Sequence, residues 1–369
     1  MSNKIDCGIV TFHRAHNYGA VLQAYALQRT IDKLGHNAGF IDLQHRNLEV
    51  GYSLHPSIKS ITSIRKLLSY FKRWYEFLRD SKRKTNRYLA FESFIDNNMR
   101  MIDVSKINCI NNLVLGSDQI WNAGYTEGVY PLYYGKVEGL SCDNTISYAA
   151  SMGTSNLLEE ELVQFNKYII ALKAVGVREK SLMDYIKDVV EIDSTLNLDP
   201  TLLMTSEEWS KLAGHSLDKE SRPYLLVYEV HSHKGTNDLV KEIASKHNLE
   251  IKVLAPKTDH RIDKSIISDA RPEDFLQLFR EASFVVTTSF HGTVFSIINE
   301  KPFVTMEFGN DIDIRSKGLL HMLGLEGRLS ESYNIASEEI DYKTISSKLQ
   351  MYREESIEYL KKNLIKERT

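Results

Sequence analysis

The first 43 residues alternate a buried strand, a helix and a second strand, and this alternation restricts the fold more than any other feature. Apolar runs at residues 5–11 and 38–43 predict the two strands, and apolar spacing of the helical kind over residues 19–34 predicts the helix. Strands joined through a helix usually pair in parallel by a right-handed crossover. The segment therefore predicts the start of a doubly wound α/β domain.

The same alternation recurs along most of the chain. Asp199-Pro200 predicts a boundary between two domains, because a proline restricts the residue before it and interrupts helices. The length of 369 residues agrees with two domains, which we place at 1–200 and 201–369, the second ending in a helix over 341–366. Further strands are predicted at 112–115, 146–149, 175–177, 224–230, 250–254, 284–288 and 302–306, and further helices at 237–247 and 272–282.

Composition limits the binding partners and the cellular compartment that we expect for this protein. Hydrophobic residues make up 42% of the chain and charged residues 26%, which is ordinary for a soluble protein, and a net charge of −3 points to no nucleic-acid partner. Cys7, Cys109 and Cys142 are widely spaced, so we predict buried free thiols in a reducing cytoplasm. The amino terminus does not have the pattern of a signal peptide, and apolar runs are too short for a membrane span.

A basic insertion at about 57–100 interrupts the first domain. Between Lys59 and Arg87 ten bases stand against two acids, a net charge of +8 that leaves −11 for the remainder. Apolar residues recur there at helical spacing, which predicts a basic amphipathic helix. One interpretation is a helix packed on the body with a solvated basic side. The other is a peripheral contact with anionic lipid, or with a polyprenyl diphosphate acceptor, at the inner face of the membrane.

His291 follows the apolar run 284–286 and the turn Thr287-Thr288-Ser289, and it precedes renewed helical spacing. It is therefore predicted at a strand-to-helix turn. In a parallel sheet, the carboxyl ends of strands and the amino ends of helices meet there, and anions and reacting groups bind. The alternative is a histidine that caps the helix or lies at the edge of the core.

Several segments, in this order along the chain, resemble the polysaccharide pyruvyl transferase family. The resemblance spans about residues 5–328, apart from about 45–105. The segments that carry it are Asn17-Tyr-Gly-Ala-Val-Leu22, Gly116-Ser-Asp-Gln-Ile-Trp-Asn122, Gly176-Val-Arg-Glu-Lys180, Leu198-Asp-Pro-Thr-Leu-Leu203, Ala270-Arg-Pro-Glu-Asp-Phe275, Ser289-Phe-His-Gly292, Lys301-Pro-Phe-Val304, and residues 310–315 before 319–325.

The resemblance implies two Rossmann-like parallel-sheet domains that face a cleft, as in glycosyltransferases of the B type. It also implies an enzyme that transfers the pyruvyl group of phosphoenolpyruvate to a sugar of a cell-surface polysaccharide precursor, forming a pyruvate ketal. Phosphoenolpyruvate is then a co-substrate, and no cofactor is expected. Such a site needs fixed positive charge for a carboxylate and a phosphate, and a group that donates and accepts protons near neutral pH.

The residues that match the family's motifs supply these functions. His291 is the predicted acid and base. The predicted donor-binding residues are Arg178, Arg315, Ser289, Gly292, Asn17 and Gly19. Ser289 stands where several members of the family carry arginine, so that other cations or the amides near Gly292 would have to hold the anion. An ion-paired arginine at the surface is the alternative for Arg178.

Asp118, Trp121 and His16 are the predicted acceptor-binding residues. An indole can stack on a sugar ring and a carboxylate can accept hydroxyl protons, and the acceptor sugar is expected to be free or linked to a polyprenyl diphosphate. The alternatives are a packing role for Trp121, a helix cap at Asp118 and a solvent-facing His16.

No metal site is predicted. His231 and His233 could chelate an ion, but no third ligand is evident nearby in the sequence. Two other functions remain open on the same residues. They are nucleotide-sugar glycosyl transfer, which needs a diphosphate site and a nucleobase pocket, and sugar binding without catalysis, which tolerates loss of His291.

Overall fold

A computed structural model describes residues 5–56, 58, 61, 64–153, 157–214, 222–255, 266–332 and 338–366, apart from the side chain of Lys66. Lys59, the first base of the predicted insertion, lies outside these ranges. The chain divides into two units. The first comprises Met1–Pro200 with Ser356–Thr369, and the second comprises Thr201–Glu355.

The first unit contains a five-stranded sheet in which all strands are parallel, in the order β3-β2-β1-β4-β5. The central strand β1 is buried along its whole length, as expected for a parallel sheet covered on both faces. A two-stranded parallel sheet, β6 and β7, follows. The strands are β1 Cys7–Val10, β2 Ala38–Ile41, β3 Met101–Ile102, β4 Cys109–Leu115, β5 Ser141–Ser147, β6 Gly176–Val177 and β7 Thr195–Leu196.

Seven helices belong to the described part of this unit. They are α1 Tyr18–Lys33, α2 Arg46–Tyr52, α3 Ile64–Arg79, α4 Ser81–Asn98, α5 Ala123–Thr126, α6 Glu159–Ile170 and α7 Lys180–Tyr185. The predicted basic insertion thus forms the helix pair α3 and α4. Strand β5 begins five residues before its predicted start, because polar residues such as Asn144 face a polar partner rather than the apolar core.

The second unit contains a four-stranded parallel sheet in the order β11-β10-β8-β9. Its core joins apolar residues of these strands to the helix that follows β8. The strands are β8 Tyr224–Tyr228, β9 Glu250–Leu254, β10 Phe284–Thr287 and β11 Phe303–Thr305. The helices are α8 Ser206–Leu212, α9 Thr236–His247, α10 Pro272–Glu281, α11 Phe290–Ile298 and α12 Ile314–Leu323.

The last helix, α13 Tyr342–Asn363, begins in the second unit, and its end belongs to the first. Our assignment of residues 356–369 to the second domain is corrected accordingly. The physical reason is a set of hydrogen bonds. The hydroxyl of Tyr359 donates to the Ser147 carbonyl (2.8 Å), and the amides of Asn112 and Asn144 donate to the last carbonyls of the segment. The polar pair Asn112 and Asn144 therefore holds the end of the chain.

The predicted class, two Rossmann-like α/β units with parallel sheets, is confirmed. The three cysteines are free, but only Cys7 is buried. Cys109 is exposed because it begins β4 at the sheet margin, so the prediction of a buried thiol is wrong there. Among the helices in the described ranges, none has the length and apolar character needed to cross a membrane.

Candidate active site

The second sheet has a topological switch point between β8 and β10. From β8 the chain continues to β9 on one side of the sheet, and later strands are added on the other side, beginning with β10. The loops that leave β8 and β10 therefore separate at their carboxyl ends, which is where ligands bind in open α/β sheets. His231 lies in the first of these loops and His291 follows the second.

Threonine hydroxyls hold the turn after β10. The Thr287 hydroxyl donates to the Tyr228 carbonyl (3.0 Å) and accepts from the Ser289 amide (3.1 Å). The Thr288 hydroxyl accepts the amides of Val230 and His231 (2.9 and 3.2 Å), which ties the two loops together across the switch point. The edge of this sheet is thus organised by neutral side chains.

Gly292 allows α11 to begin directly on this turn. A Cβ atom at position 292 would lie 2.7 Å from the Cβ of Thr287 and would overlap the Thr287 hydroxyl. A glycine is therefore required by the close approach of the helix to the strand end. The helix directs its first N–H groups and the positive end of its dipole toward the same edge.

His291 is the second residue of α11 and is 6% exposed. Its ring packs edge-on against that of Phe290, with 5.1 Å between the ring centroids. Arg315, near the start of α12, lies over the Phe290 ring at 5.5 Å from the centroid. Phe290 therefore lies between the predicted acid and base and one of the predicted anion-binding arginines.

The loop before α12 is fixed by Asp313. Its carboxylate accepts the amides of Phe308 and Gly309 (2.9 and 2.8 Å). This loop follows β11, the neighbour of β10, so Arg315 reaches the same edge of the sheet from a third strand.

His231 is a candidate functional residue that the sequence led us to consider only as a metal ligand. Burial lowers the pKa of its imidazole, and the nearby positive charge of Arg315 lowers it further. A neutral imidazole beside a guanidinium can donate a hydrogen bond from its N–H to an anion. The available signal was its position just after an apolar run, but the pairing of β8 with β10 cannot be read from the sequence.

His233 does not join His231 in a chelating pair with a third ligand. Its Nε2 lies 3.2 Å from Oε1 of Glu331, and its Nδ1 accepts the Gly235 amide (3.1 Å). Within the described ranges, no group of three or more His, Cys, Asp or Glu side chains is arranged to hold a metal ion.

In the first sheet the switch point lies between β1 and β4. The Thr11 hydroxyl, after β1, donates to the Ser117 carbonyl, after β4, at 2.9 Å. Two predicted donor-binding residues begin α1 at this edge, where the Asn17 side chain accepts the Gly19 amide (2.9 Å). Asn17 therefore caps α1, which is a structural role, and its predicted contact with the donor stays a prediction.

Arg178 lies among carboxylates at the same edge. Its guanidinium, on a side chain only 4% exposed, is 2.6 Å from Asp199 and within 3.8 Å of carboxylate oxygens of Glu179 and Asp118. Burial alone would lower the pKa of Arg178, but the three carboxylates raise it above its ordinary value. The arginine is ion-paired as in our alternative interpretation, although it is buried rather than at the surface.

One of the predicted acceptor-binding residues, His16, lines a cavity of the first unit. The cavity has a volume of about 400 Å³ and is also lined by Tyr52, Arg14 and Glu92. The Nε2 atom of His16 is 2.7 Å from Oε1 of Glu92. Burial, and then the nearby carboxylate of Asp118, raise the pKa of Tyr52 to about 12. Asp118 itself has a φ of 70°, a left-handed conformation that aspartate tolerates better than most residues.

The third predicted acceptor-binding residue, Trp121, lies in the core. Its ring is stacked on Tyr134 at 5.8 Å, its indole N–H donates to the Tyr133 carbonyl (3.0 Å), and the residue is 1% exposed. This geometry is that of the packing alternative, and a sugar could stack on the indole only if these residues moved.

Comparison with known proteins identifies the family of the chain. The family described as polysaccharide pyruvyl transferase matches residues 17–310, which is most of the chain and includes the switch point of the second sheet. The comparison with curated proteins found no match.

Solved structures resemble the chain at low identity. A putative UDP-N-acetylglucosamine 2-epimerase from Listeria monocytogenes is 10% identical, with 98% of this chain and 91% of that chain covered and a TM-score of 0.47. UDP-GlcNAc 2-epimerase from Neisseria meningitidis, bound to UDP-GlcNAc, is 11% identical, with 95% and 93% covered and a TM-score of 0.46. A glycosyltransferase from Rickettsia africae is 11% identical, with 98% and 99% covered and a TM-score of 0.44.

Proposed function

The chain belongs to the polysaccharide pyruvyl transferase family, and from this premise we propose that it transfers the pyruvyl group of phosphoenolpyruvate to a sugar. The acceptor in this proposal is a sugar of a cell-surface polysaccharide precursor, and the product is a cyclic pyruvate ketal. The observation that carries the proposal is the placement of His291, at the first turn of α11 and at the switch point of the second sheet.

The reaction requires two additions to the same carbon. The methylene carbon of phosphoenolpyruvate gains a proton, the first sugar hydroxyl adds to C2 and loses its proton, and the C2–O bond to phosphate breaks. The second hydroxyl then adds to C2 and closes the ring, and its proton leaves with the phosphate or the solvent. One group that accepts a hydroxyl proton and supplies the methylene proton serves both needs.

His291 has this role in the proposal. An imidazole has an ordinary pKa near neutrality, so it can hold or release a proton under the same conditions. The side chain lies at an edge where helix N–H groups and Arg315 favour an anion. These features support a proton donor beside a site for the negative charge of phosphoenolpyruvate.

The donor's two anionic groups need fixed positive partners. Arg315 is a cation of the second unit that matches one of the family's motifs, and the first amides of α11, near Ser289 and Gly292, supply directed donors. Ser289 contributes a hydroxyl where several members of the family carry arginine. Neutral His231, beside Arg315, provides another hydrogen-bonding group at this edge.

The test is phosphate release from phosphoenolpyruvate across a panel of sugar acceptors, with the product examined for a ketal by mass spectrometry and NMR. The proposal expects release that depends on an acceptor and on His291. His321→Gln is a matched control, because His321 is an exposed histidine on α12. Turnover of nucleotide sugars in place of phosphoenolpyruvate would instead support glycosyl transfer. Binding of sugar without either reaction would support a non-catalytic role.

A further inference from the structure

Helix α3 has an apolar face that is turned to solvent. Five of its residues recur at steps of four and three and are 61 to 80% exposed. We call them the apolar stripe: Ile64, Leu68, Phe71, Tyr75 and Leu78. Large apolar side chains scattered singly on a surface are ordinary, but a continuous row along about 21 Å of helix indicates an interaction surface.

A different face of α3 attaches the helix to the first unit. Phe77 is buried and its ring lies 4.9 Å from that of His55, while Trp74 is stacked on the same histidine at 5.9 Å. The Arg73 guanidinium donates to the Val50 carbonyl (3.3 Å). Since these contacts fix the rotation of the helix, the outward direction of the apolar stripe follows from the packing.

Positive charge borders the apolar stripe on one side. Arg65, Lys72 and Arg79 are seven residues apart, so at 3.6 residues per turn they form a row beside Leu68 and Tyr75. All three bases are exposed. Residues 64–87 carry nine bases against two acids, a net charge of +7.

We propose that α3 docks on an anionic lipid membrane, lying in the interface plane with the apolar stripe inserted among the lipids. An amphipathic helix with apolar side chains on one face and bases at its margin binds such surfaces reversibly. The row Arg65, Lys72 and Arg79 is complementary to the negative headgroups, and each base near them contributes up to about fivefold in affinity. Helix α3 therefore carries both features that binding to an anionic membrane surface requires, an apolar face and a row of bases at its margin.

A second copy of the chain fits the stripe less well. It would bring the same row of bases, so positive charge would face positive charge across the interface. Glu76 is the acid of α3 and already lies 3.9 Å from Lys72. The apolar repeat also covers only about two heptads, whereas coiled coils are usually sustained over three or four.

Co-sedimentation of the full chain with vesicles tests the proposal, using phosphatidylcholine alone and an equal mixture with phosphatidylglycerol. We expect binding to the anionic vesicles at low ionic strength, weakened by salt. The stripe variant Leu68→Ser/Phe71→Ser/Leu78→Ser should bind at least about tenfold more weakly. The row variant Arg65→Gln/Lys72→Gln/Arg79→Gln should lose about tenfold or more and most of the salt dependence.

A matched control removes apolar side chains elsewhere on the same unit. Val163→Ser/Ile170→Ser changes two exposed residues of α6, whose first turn is acidic, and should leave vesicle binding unchanged. Fluorescence gives a second measurement, because Trp121 and Trp209 are buried and Trp74 lies beside the stripe. Anionic vesicles should shift the emission to shorter wavelength in the wild type but not in Trp74→Phe.

Three results would overturn the proposal. The first is equal partitioning of the wild type and the stripe variant onto anionic vesicles, and the second is equal binding of the wild type to neutral and anionic vesicles. The third is a wild-type dimer that becomes monomeric in the stripe variant and does not bind vesicles, which would assign the stripe to a second copy. None of these measurements depends on enzymatic activity, so the outcome is independent of the proposed function.

Discussion

The carboxyl edges of the two sheets are built from different chemistry. At the first edge, one buried guanidinium, Arg178, lies among the carboxylates of Asp118, Glu179 and Asp199. At the second edge, threonine hydroxyls and glycine shape a turn that presents His291, with Arg315 across the Phe290 ring. Both edges lie at a switch point, but the guanidinium of the first is already ion-paired with carboxylates of the same unit.

The two edges differ in what their charged or titratable side chain is expected to do: Arg178 stabilises the fold, whereas His291 is proposed to act in catalysis. A buried arginine that compensates carboxylates is costly to remove, since the carboxylates would then be buried without a partner. For His291, by contrast, the proposed role is proton transfer rather than the pairing of buried charges. Substitutions at the first edge should therefore change stability, and substitutions at the second should change activity.

The largest expected effect is on catalysis at the second edge. His291→Gln keeps a polar side chain of similar length but cannot exchange a proton near neutral pH. We expect kcat for phosphate release to fall by about 100- to 10,000-fold, with the free energy of unfolding nearly unchanged. Steady-state kinetics and urea denaturation measure the two quantities, and His321→Gln on α12 serves as the control.

The contrast between the two edges would be lost if His291→Gln retained the wild-type rate, because proton transfer would then have to be assigned to another group. The contrast would also be lost if the variant were inactive only because it unfolded. A melting temperature within a few degrees of the wild type, measured on the same sample, separates the two cases.

Much of the fold follows from the sequence because parallel strands covered on both faces are continuous apolar runs. Strand β1 and helix α1, for example, lie within about two residues of their predicted bounds. The predictions fail where a polar residue has a buried polar partner. Asn144 in β5 bonds Asn112, and the two hold the chain end that we had assigned to the other domain.

The second prediction concerns stability at the first edge. Arg178→Met removes the cation among three carboxylates and should lower the free energy of unfolding by about 3 to 5 kcal/mol. The double variant Arg178→Met/Asp199→Asn should recover part of this loss, because the direct partner is then uncharged. Chemical denaturation measures both.

An exposed ion pair provides the control for this measurement. Arg271→Met on the surface breaks the pair with Asp274 and should cost less than about 1 kcal/mol. If Arg178→Met were as stable as the wild type while its Michaelis constant for phosphoenolpyruvate rose, Arg178 would be a donor-binding residue and the contrast between the edges would be lost.

The surroundings of individual candidate residues are harder to predict than the strand-to-helix turns that carry them. The strand-to-helix turn of His291 is visible in the sequence because an apolar run ends in hydroxyl residues. The surroundings of Arg178 and Trp121 are not, since they depend on which strands pair and which rings stack. The proximity of His231 to Arg315 likewise depends on strand order, which residues 224–231 alone do not determine.

The third prediction tests anion binding at the second edge. Arg315→Lys keeps the charge but replaces the planar guanidinium over Phe290, so it should raise the Michaelis constant for phosphoenolpyruvate by about tenfold. Its effect on stability should be small. Lys317→Gln, an exposed change on the same helix, is the control. An unchanged Michaelis constant for Arg315→Lys would place the anion elsewhere.

The smallest expected effect is a pH dependence at His231. Burial, and then Arg315, lower the pKa of His231 in the folded protein below its ordinary value. The unfolded chain therefore binds more protons than the folded chain just below about pH 6.5, and stability should fall slightly as the pH decreases through that range. Because the side chain is partly exposed to solvent, the change should be small.

Titration by NMR measures this group directly. We expect Arg315→Gln to raise the pKa of His231, because one cause of the lowering is removed. Phosphoenolpyruvate should also raise it in the wild type, since an anion at this edge favours the protonated imidazole. If neither change moved the titration of His231, then Arg315 and the donor would not share this edge. The contrast with the ion-paired Arg178 would then concern stability alone.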